Sequence, residues 1–118
     1  MIKNLTPHPI CYRPSHDAPE TEGIVFPTEG IVPRVGTVET VADPIEIRHG
    51  FFIPTVTQTT GPVEGLPEPV PGVFLIVSAL VFGASDRKDL VAPDTGKGAI
   101  RDGQGHILAV TRFIRREL

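Results

Sequence analysis

The stretch VFLIVSALVFGA at residues 73–84 is the most apolar part of the chain and decides the fold. Its first five residues are rich in β-branched side chains, which favour an extended strand from Val73 to Val77. Ser78 then supplies the hydroxyl that commonly caps a helix, so we predict a short helix that ends near Ser85. Twelve residues are too few to cross a bilayer, so we expect this stretch to form the centre of the core.

Two hairpins are predicted on either side of this stretch. Ile45 and Ile47 alternate with charged residues, His49-Gly50 is typical of a turn, and residues 51–60 are rich in threonine and other β-branched residues. This pattern predicts a hairpin with one face in water. Further on, Asp102-Gly103-Gln104-Gly105 predicts a second hairpin, because Asp-Gly supplies the positive φ values of tight turns.

Proline and glycine divide the rest of the chain into short pieces. The turn Thr6-Pro7-His8-Pro9 separates two predicted strands near the N-terminus, and residues 61–72 hold four prolines and three glycines, which predicts irregular backbone. We predict residues 107–114 as one last strand, apolar on both faces.

The pieces fit one domain. It spans residues 1–118, with a flexible acidic and proline-rich loop near residues 14–22. The predicted class is α+β, mostly β: a small antiparallel sheet or partly open barrel with one short helix after the Val73–Val77 strand.

The charge of the chain bears on its partners. A formal net charge of −3 gives no general attraction for nucleic-acid phosphates or an anionic membrane. The basic residues Arg112, Arg115 and Arg116 are interpreted as a solvated tail, because Glu117 lies beside them. We expect a protein partner rather than nucleic acid and no membrane partner, while a homo-oligomer and a small anionic ligand remain open.

The N-terminus and the cysteine count predict a cytoplasmic protein. The chain has one cysteine, Cys11, which favours a reducing compartment because it has no second thiol to pair with. Residues 1–7 lack the apolar segment and the cleavage site of a secretory signal peptide.

One triplet matches a catalytic motif but lacks its context. Asp94-Thr95-Gly96 is the triplet of retroviral-type aspartic proteases, in which two aspartates share a proton. Pro93 before it and Lys97 after it are atypical of such enzymes, so an ordinary loop is favoured. The four histidines do not fall at metal-ligand spacing. We predict no catalytic residue, no metal and no cofactor, and an enzyme is the less favoured interpretation.

Charged residues of mixed sign concentrate between positions 86 and 102. One interpretation is that they form ion pairs within surface loops. The other is that they form a recognition surface, because binding residues concentrate on loops carried by a rigid scaffold. The residues predicted to bind a ligand or partner are Asp86, Arg87, Asp89, Asp94, Lys97, Arg101 and Asp102.

Several motifs resemble those of a group of small uncharacterised proteins encoded by phages and prophages. The likeness begins with Asn4-Leu5-Thr6-Pro7-His8-Pro9-Ile10 and Gly65-Leu66-Pro67-Glu68-Pro69. It continues through Ile76 to Val81, Asp86-Arg87 with Asp89, Pro93-Asp94-Thr95, and Arg101-Asp102 with Gly105. The resemblance implies a viral or mobile-element origin, a bacterial host cytoplasm and an accessory, structural or host-interacting role.

Three functions follow as hypotheses. The first is a non-enzymatic binding protein that acts on a host or viral partner, including antagonism of a host defence. The second is a minor virion or assembly component, in which an oligomer buries an apolar stripe such as Phe51, Ile53 and Val56. The third is a binder or hydrolase of a small anionic ligand, in which Arg87, Lys97 and Arg101 meet the anion.

Overall fold

The computed structural model describes residues 1–117, and most of its regular structure is strand. The predicted α+β, mostly β class is confirmed. Within residues 1–117 the elements are β1 (Ile2–Asn4), β2 (Ile10–Tyr12), a 3-10 turn (Glu20–Glu22), β3 (Ile24–Phe26), β4 (Arg34–Arg48), β5 (Phe51–Glu64), β6 (Phe74–Ile76), α1 (Ala79–Ala84), β7 (Leu90–Pro93), β8 (Ala99–Arg101), β9 (Ile107–Val110) and β10 (Phe113–Arg115).

Two open four-stranded sheets form the body of the protein. The first has the order β1-β6-β7-β10 and the second the order β3-β2-β9-β8. Both are mixed, because β1, β6 and β7 pair in parallel and β2 pairs with β9 in parallel. Parallel pairing needs a long connection between the strands, and residues 5–73 provide one between β1 and β6. No barrel closes within the described chain.

The apolar stretch forms the predicted strand and helix at the centre of the core. Ser78 is the N-cap of α1, and its Oγ accepts a hydrogen bond from the Val81 backbone N–H at 3.3 Å. Leu75 and Val77 pack in one buried cluster, and Ile76, on the other face of the same strand, is also completely buried. Strand β6 is therefore covered on both faces, as its unbroken apolar sequence predicts.

Strands β4 and β5 form the predicted hairpin, and we call this hairpin the arm. Gly50 takes a φ of +76° at its tip, where residues other than glycine are strained. Strand β5 continues to Glu64, so the prediction that the irregular segment begins at residue 61 was wrong by four residues. The prediction of a single wet face was also wrong, because the arm is exposed on both faces for most of its length.

The arm projects from the body. The Cα radius of gyration is 18.6 Å, against about 13.5 Å for a compact domain of this length. Only the root of the arm is anchored, where Val35 and Val63 pack against the core cluster beside Leu66. The fourteen residues of β5 extend over about 46 Å at the usual rise of a strand.

The C-terminal part departs from the sequence prediction. The hairpin at residues 102–105 is present, with β8 antiparallel to β9, but its positive φ belongs to Gly105 and not to Gly103. Residues 107–114 form two strands instead of one, because the backbone of Thr111 turns to donate to the Gly98 carbonyl at 2.7 Å. Strand β9 therefore stays in the second sheet, while β10 crosses to pair with β7 in the first.

Asn4 joins the two sheets at the end of β1. Its side chain is almost fully buried, and its Nδ2 donates to the carbonyls of His8 and Phe26 at 2.8 and 2.9 Å. Its Oδ1 accepts from both the backbone N–H and the hydroxyl of Thr6. The Asn-Leu-Thr-Pro-His motif thus has a structural role, since one amide fixes the turn that carries the chain from the first sheet to the second.

Candidate functional site

Many of the exposed large hydrophobic side chains of the protein lie on the arm. Eight large hydrophobic side chains there are between 48% and 86% exposed, and Val41 is the most exposed of them. Exposed apolar side chains that cluster on one element mark interaction sites in soluble proteins, whereas single exposed apolar residues carry no such meaning. The eight residues are Val38, Val41, Ile45, Ile47, Phe51, Phe52, Ile53 and Val56.

The apolar residues of the arm lie on both of its faces. Ile45 and Ile53 are cross-strand partners, and Phe51 shares their face because it is two residues before Ile53 in β5. Val41 pairs with Val56, which is three residues after Ile53 and therefore faces the other way. The predicted stripe of Phe51, Ile53 and Val56 is exposed, but these residues are divided between two faces.

The arm has a low net charge and carries charged residues of both signs. Residues 34–64 contain two arginines and four acidic residues, and six threonines lie among the apolar side chains. Such a surface has neither the basic groups that bind phosphates nor the polybasic clusters that attract an anionic membrane.

The structure places the seven predicted site residues around strand β7. Arg87 and Asp89 form an ion pair before it, with Arg87 Nε and Nη2 donating to the two carboxylate oxygens at 3.0 and 2.6 Å. Arg87 Nη1 also donates to the Pro67 carbonyl at 2.9 Å. The Arg87 hydrogen bonds hold the pKa of Asp89 below its usual value. This pair ties the loop before β7 to the segment that follows the arm.

Asp94 lies after β7 and is engaged by a residue that the sequence does not associate with it. Its Oδ2 accepts from Arg112 Nε at 2.6 Å, and its Oδ1 accepts from the Gly96 backbone N–H at 2.9 Å. The Arg112 hydrogen bond, followed by that of Gly96, lowers the pKa of Asp94. An aspartic protease needs a pair of aspartates that share a proton, so the environment of Asp94 favours the loop interpretation of Asp94-Thr95-Gly96.

Arg101 and Asp102 fasten the second hairpin. Arg101 donates to the carbonyls of Gly105 and Thr95 at 2.6 and 2.9 Å. Asp102 Oδ1 accepts from the backbone N–H groups of Gln104 and His106, and these two hydrogen bonds lower the pKa of Asp102. These contacts hold the loops on which the two side chains lie.

Strand β7 divides the predicted site into two groups. Asp86, Arg87 and Asp89 precede it, whereas the other four residues follow it, and the Cα atoms of Asp89 and Asp94 are about 16 Å apart along an extended strand. Arg87 and Arg101 are thus placed at opposite ends of the strand. Lys97 and Asp86 are exposed. A binding role for the seven residues stays a prediction.

An open cleft lies where the arm meets α1. Its volume is about 810 Å³, within the range of small-ligand sites, and it includes Asp86 and Arg87 from the predicted set. Arg116 also lines it, stacks on the Phe82 ring at 4.3 Å and donates to the carbonyls of Phe82 and Ser85. The remaining lining residues are Val63, Gly65, Leu66, Gly83, Ala84 and Ser85.

Sequence reasoning missed two features. The first is the set of contacts made by the three C-terminal arginines, of which Arg112 and Arg115 are exposed as predicted: Arg112 pairs with Asp94, Arg115 stacks on Phe74, and the half-buried Arg116 donates to the carbonyls at the end of α1. Nothing local marks these contacts, because each joins residues at least eighteen positions apart. The length of the arm was the second feature, because β4 begins at Arg34 and β5 ends at Glu64, well beyond the hairpin pattern of residues 45–60.

Residues 1–117 contain neither a membrane-spanning helix nor a metal-binding cluster. That part of the chain contains no helix of the length and apolarity needed to span a membrane. The same residues hold no cluster of three or more histidine, cysteine or acidic side chains arranged to bind a metal.

Comparison with known proteins adds no assignment. No protein-family model, no curated protein and no solved structure matches this chain.

Proposed function

We propose that this chain is a non-enzymatic protein-binding component of phage or prophage origin, and that it engages its partner through the arm. The observation that carries the proposal is the set of eight exposed apolar side chains on a hairpin anchored only at its root. The origin rests on the resemblance of the sequence motifs, and a host or viral protein is the partner class it implies.

The shape of the arm supports binding to a protein. An isolated two-stranded hairpin is only marginally stable in water, and stability requires more strands or a packed face. The segment Thr37 to Ala42 pairs regularly with Thr55 to Thr60, holds no proline and leaves its outer edge unpaired within the described chain. A partner can therefore add backbone hydrogen bonds at this edge as well as apolar contacts on the faces.

Quantitative affinity capture tests this proposal. Tagged wild-type protein and the variant Val41→Glu are compared in phage-infected bacteria, with Leu80→Glu as the matched control. Leu80 is 57% exposed on α1, outside the arm, so it controls for the loss of one exposed apolar side chain. We expect proteins captured by wild type and Leu80→Glu to be lost with Val41→Glu. Equal capture by all three chains would rule out the arm as the binding surface.

A virion or assembly role is the second candidate, and the exposure of Phe51, Ile53 and Val56 favours it. Such a component would co-purify with particles through an arm-dependent contact. Particles assembled with the Val41→Glu chain should lack it, while those assembled with Leu80→Glu should retain it. Complete absence of the wild-type chain from purified particles and assembly intermediates would exclude this role and leave a host protein as the target.

A further inference from the structure

We infer that the partner of the arm is a second copy of this chain, which rests on the proposal above that the arm binds a protein. The accessible surface is 8290 Å², whereas a compact monomer of this mass exposes about 6,200 Å². The excess of about 2,000 Å² per chain is large enough for the interface of a permanent complex, the size class to which obligate homodimers belong. A transient encounter with an unrelated protein needs much less.

Pairing of two arms by their edges alone would not cover this area. Edge pairing extends the sheet in its own plane and leaves the side chains of both faces in water. Val41, which is 86% exposed, would stay exposed in such a pair. The arm must therefore pack face to face against a second apolar surface.

The chain carries such a surface on its own second sheet. Ile24, Val25 and Leu108 are each about half exposed there and line a shallow cleft of about 350 Å³ that wraps around the β3 edge, with Val25 and Ile24 on its two sides. The cleft is also lined by Cys11, Tyr12, Arg13, Glu20 and Gly23. Strand β3 is also an edge of this sheet, with its outer side unpaired within residues 1–117. One molecule therefore presents both an apolar arm and an apolar sheet that can receive it.

A two-fold dimer covers one face of the arm and the second sheet in both copies. When the arm of one copy lies on the β2-β3-β9 surface of the other, the symmetry operation places the second arm on the first copy in the same way. Both contacts are then identical, and the assembly closes. A one-way contact would leave one arm and one sheet exposed and would lead to open chains of molecules.

The mass in solution tests the inference. By light scattering at micromolar concentrations we expect wild type and Leu80→Glu to have twice the 12.7 kDa monomer mass. Val41→Lys and Val25→Glu should each return it to the monomer mass, and circular dichroism should show that both remain folded, because these side chains are 86% and 59% exposed in the single chain. A monomeric wild type would overturn the inference.

Mixing the two variants tests the contact itself. In a mixed dimer one arm-to-sheet contact is wild type, and the other joins the Val41→Lys ammonium to the Val25→Glu carboxylate. We expect the mixture to regain the dimer mass that neither variant shows alone. Failure of the mixture to associate would overturn the assignment of the second sheet as the receiving surface.

These outcomes separate the inference from the proposed function. A wild-type monomer that still captures another protein through Val41 would refute self-association and leave the protein-binding function in place. A dimeric wild type together with a monomeric Val41→Lys variant would support both the self-association and the protein-binding function.

Discussion

Asp94 and Arg112 meet across a glycine. The carboxylate and the guanidinium are joined at 2.6 Å, and the backbone of Gly98 lies so close that an added Cβ would be 3.0 Å from both Asp94 Cβ and Arg112 Cγ. The loop after β7 is thus closed by one ion pair and by the absence of one side chain. This geometry is the basis of the first two predictions.

Gly98→Ala should destabilise the fold by about 1–3 kcal/mol, because the new methyl group must displace a carboxylate that is already held on two sides. Gly103→Ala is the matched control in the neighbouring hairpin, where an added Cβ meets nothing within 4 Å. Chemical denaturation should show no loss of stability for Gly103→Ala. Equal losses in the two variants would contradict the close approach described at Gly98.

The Asp94 ion pair should make stability depend on pH in the acid range. Its folded pKa is lowered, first by the Arg112 hydrogen bond, so the folded state binds fewer protons than the unfolded state just below the usual carboxyl pKa. Its stabilising contribution is complete above a pH of about 4 and is lost as pH falls through the folded pKa. Thermal melts of wild type should show this loss.

The variant Asp94→Asn isolates this contribution. It should be less stable than wild type at neutral pH and should lose less stability on acidification, because it has no carboxylate to protonate. Asp17→Asn is the control, since Asp17 is exposed and outside the ion pairs of the described chain. If Asp94→Asn and Asp17→Asn gave parallel acid profiles, the Arg112 pair would have no measurable role.

Asn4→Ala should cost about 2–4 kcal/mol of stability, because it leaves two partly buried carbonyls and the buried Thr6 backbone N–H without their partner. Gln58→Ala removes an amide of similar chemistry from an exposed pair with Glu39 on the arm. We expect this control to change the unfolding free energy by less than about 0.5 kcal/mol. Similar effects from both substitutions would remove the role assigned to Asn4 between the sheets.

Leu75→Asp or Val77→Asp should unfold the protein. Each position is at most 3% exposed, and a buried unpaired carboxylate costs several kcal/mol against a total stability of about 5–15 kcal/mol. Glu20→Lys and Glu22→Lys change exposed side chains and should move the melting temperature little. Circular dichroism during heating distinguishes the two outcomes, and a melt as damaged by the Glu20 or Glu22 change would contradict this division into core and surface.

The elements that sequence could predict are those defined by local chemistry. The Ser78 cap, the turn at His49-Gly50 and the hairpin at residues 102–105 each depend on neighbouring residues alone, and all three are present. The split of residues 107–114 into β9 and β10 was missed because it depends on the distant Gly98 carbonyl. The apolar residues of 107–114, which fit both faces of a single strand, give no sign of a change of sheet.

The candidate site was predicted less well than the fold. The charged residues around β7 were recognised. Their partners Pro67 and Arg112 were not, because they lie eighteen to twenty residues away and no local sequence pattern links them to Arg87 and Asp94. The apolar stripe of the arm was identified from residues 51–56, but its division between two faces was missed, although the odd spacing from Ile53 to Val56 already implies it. Periodicity indicates which side chains share a face, and it does not reveal what covers that face.

The anchoring of the arm only at Val35 and Val63 gives the molecule two separate opening free energies. The arm can lose its cross-strand hydrogen bonds while the two sheets stay intact, because few side chains connect its outer part to the core. Its backbone amides should exchange with deuterium far faster than those of β6 in an isolated chain. When the arm is bound, the same amides become protected. Their exchange rate therefore measures the fraction of chains whose arm is bound at a given protein concentration.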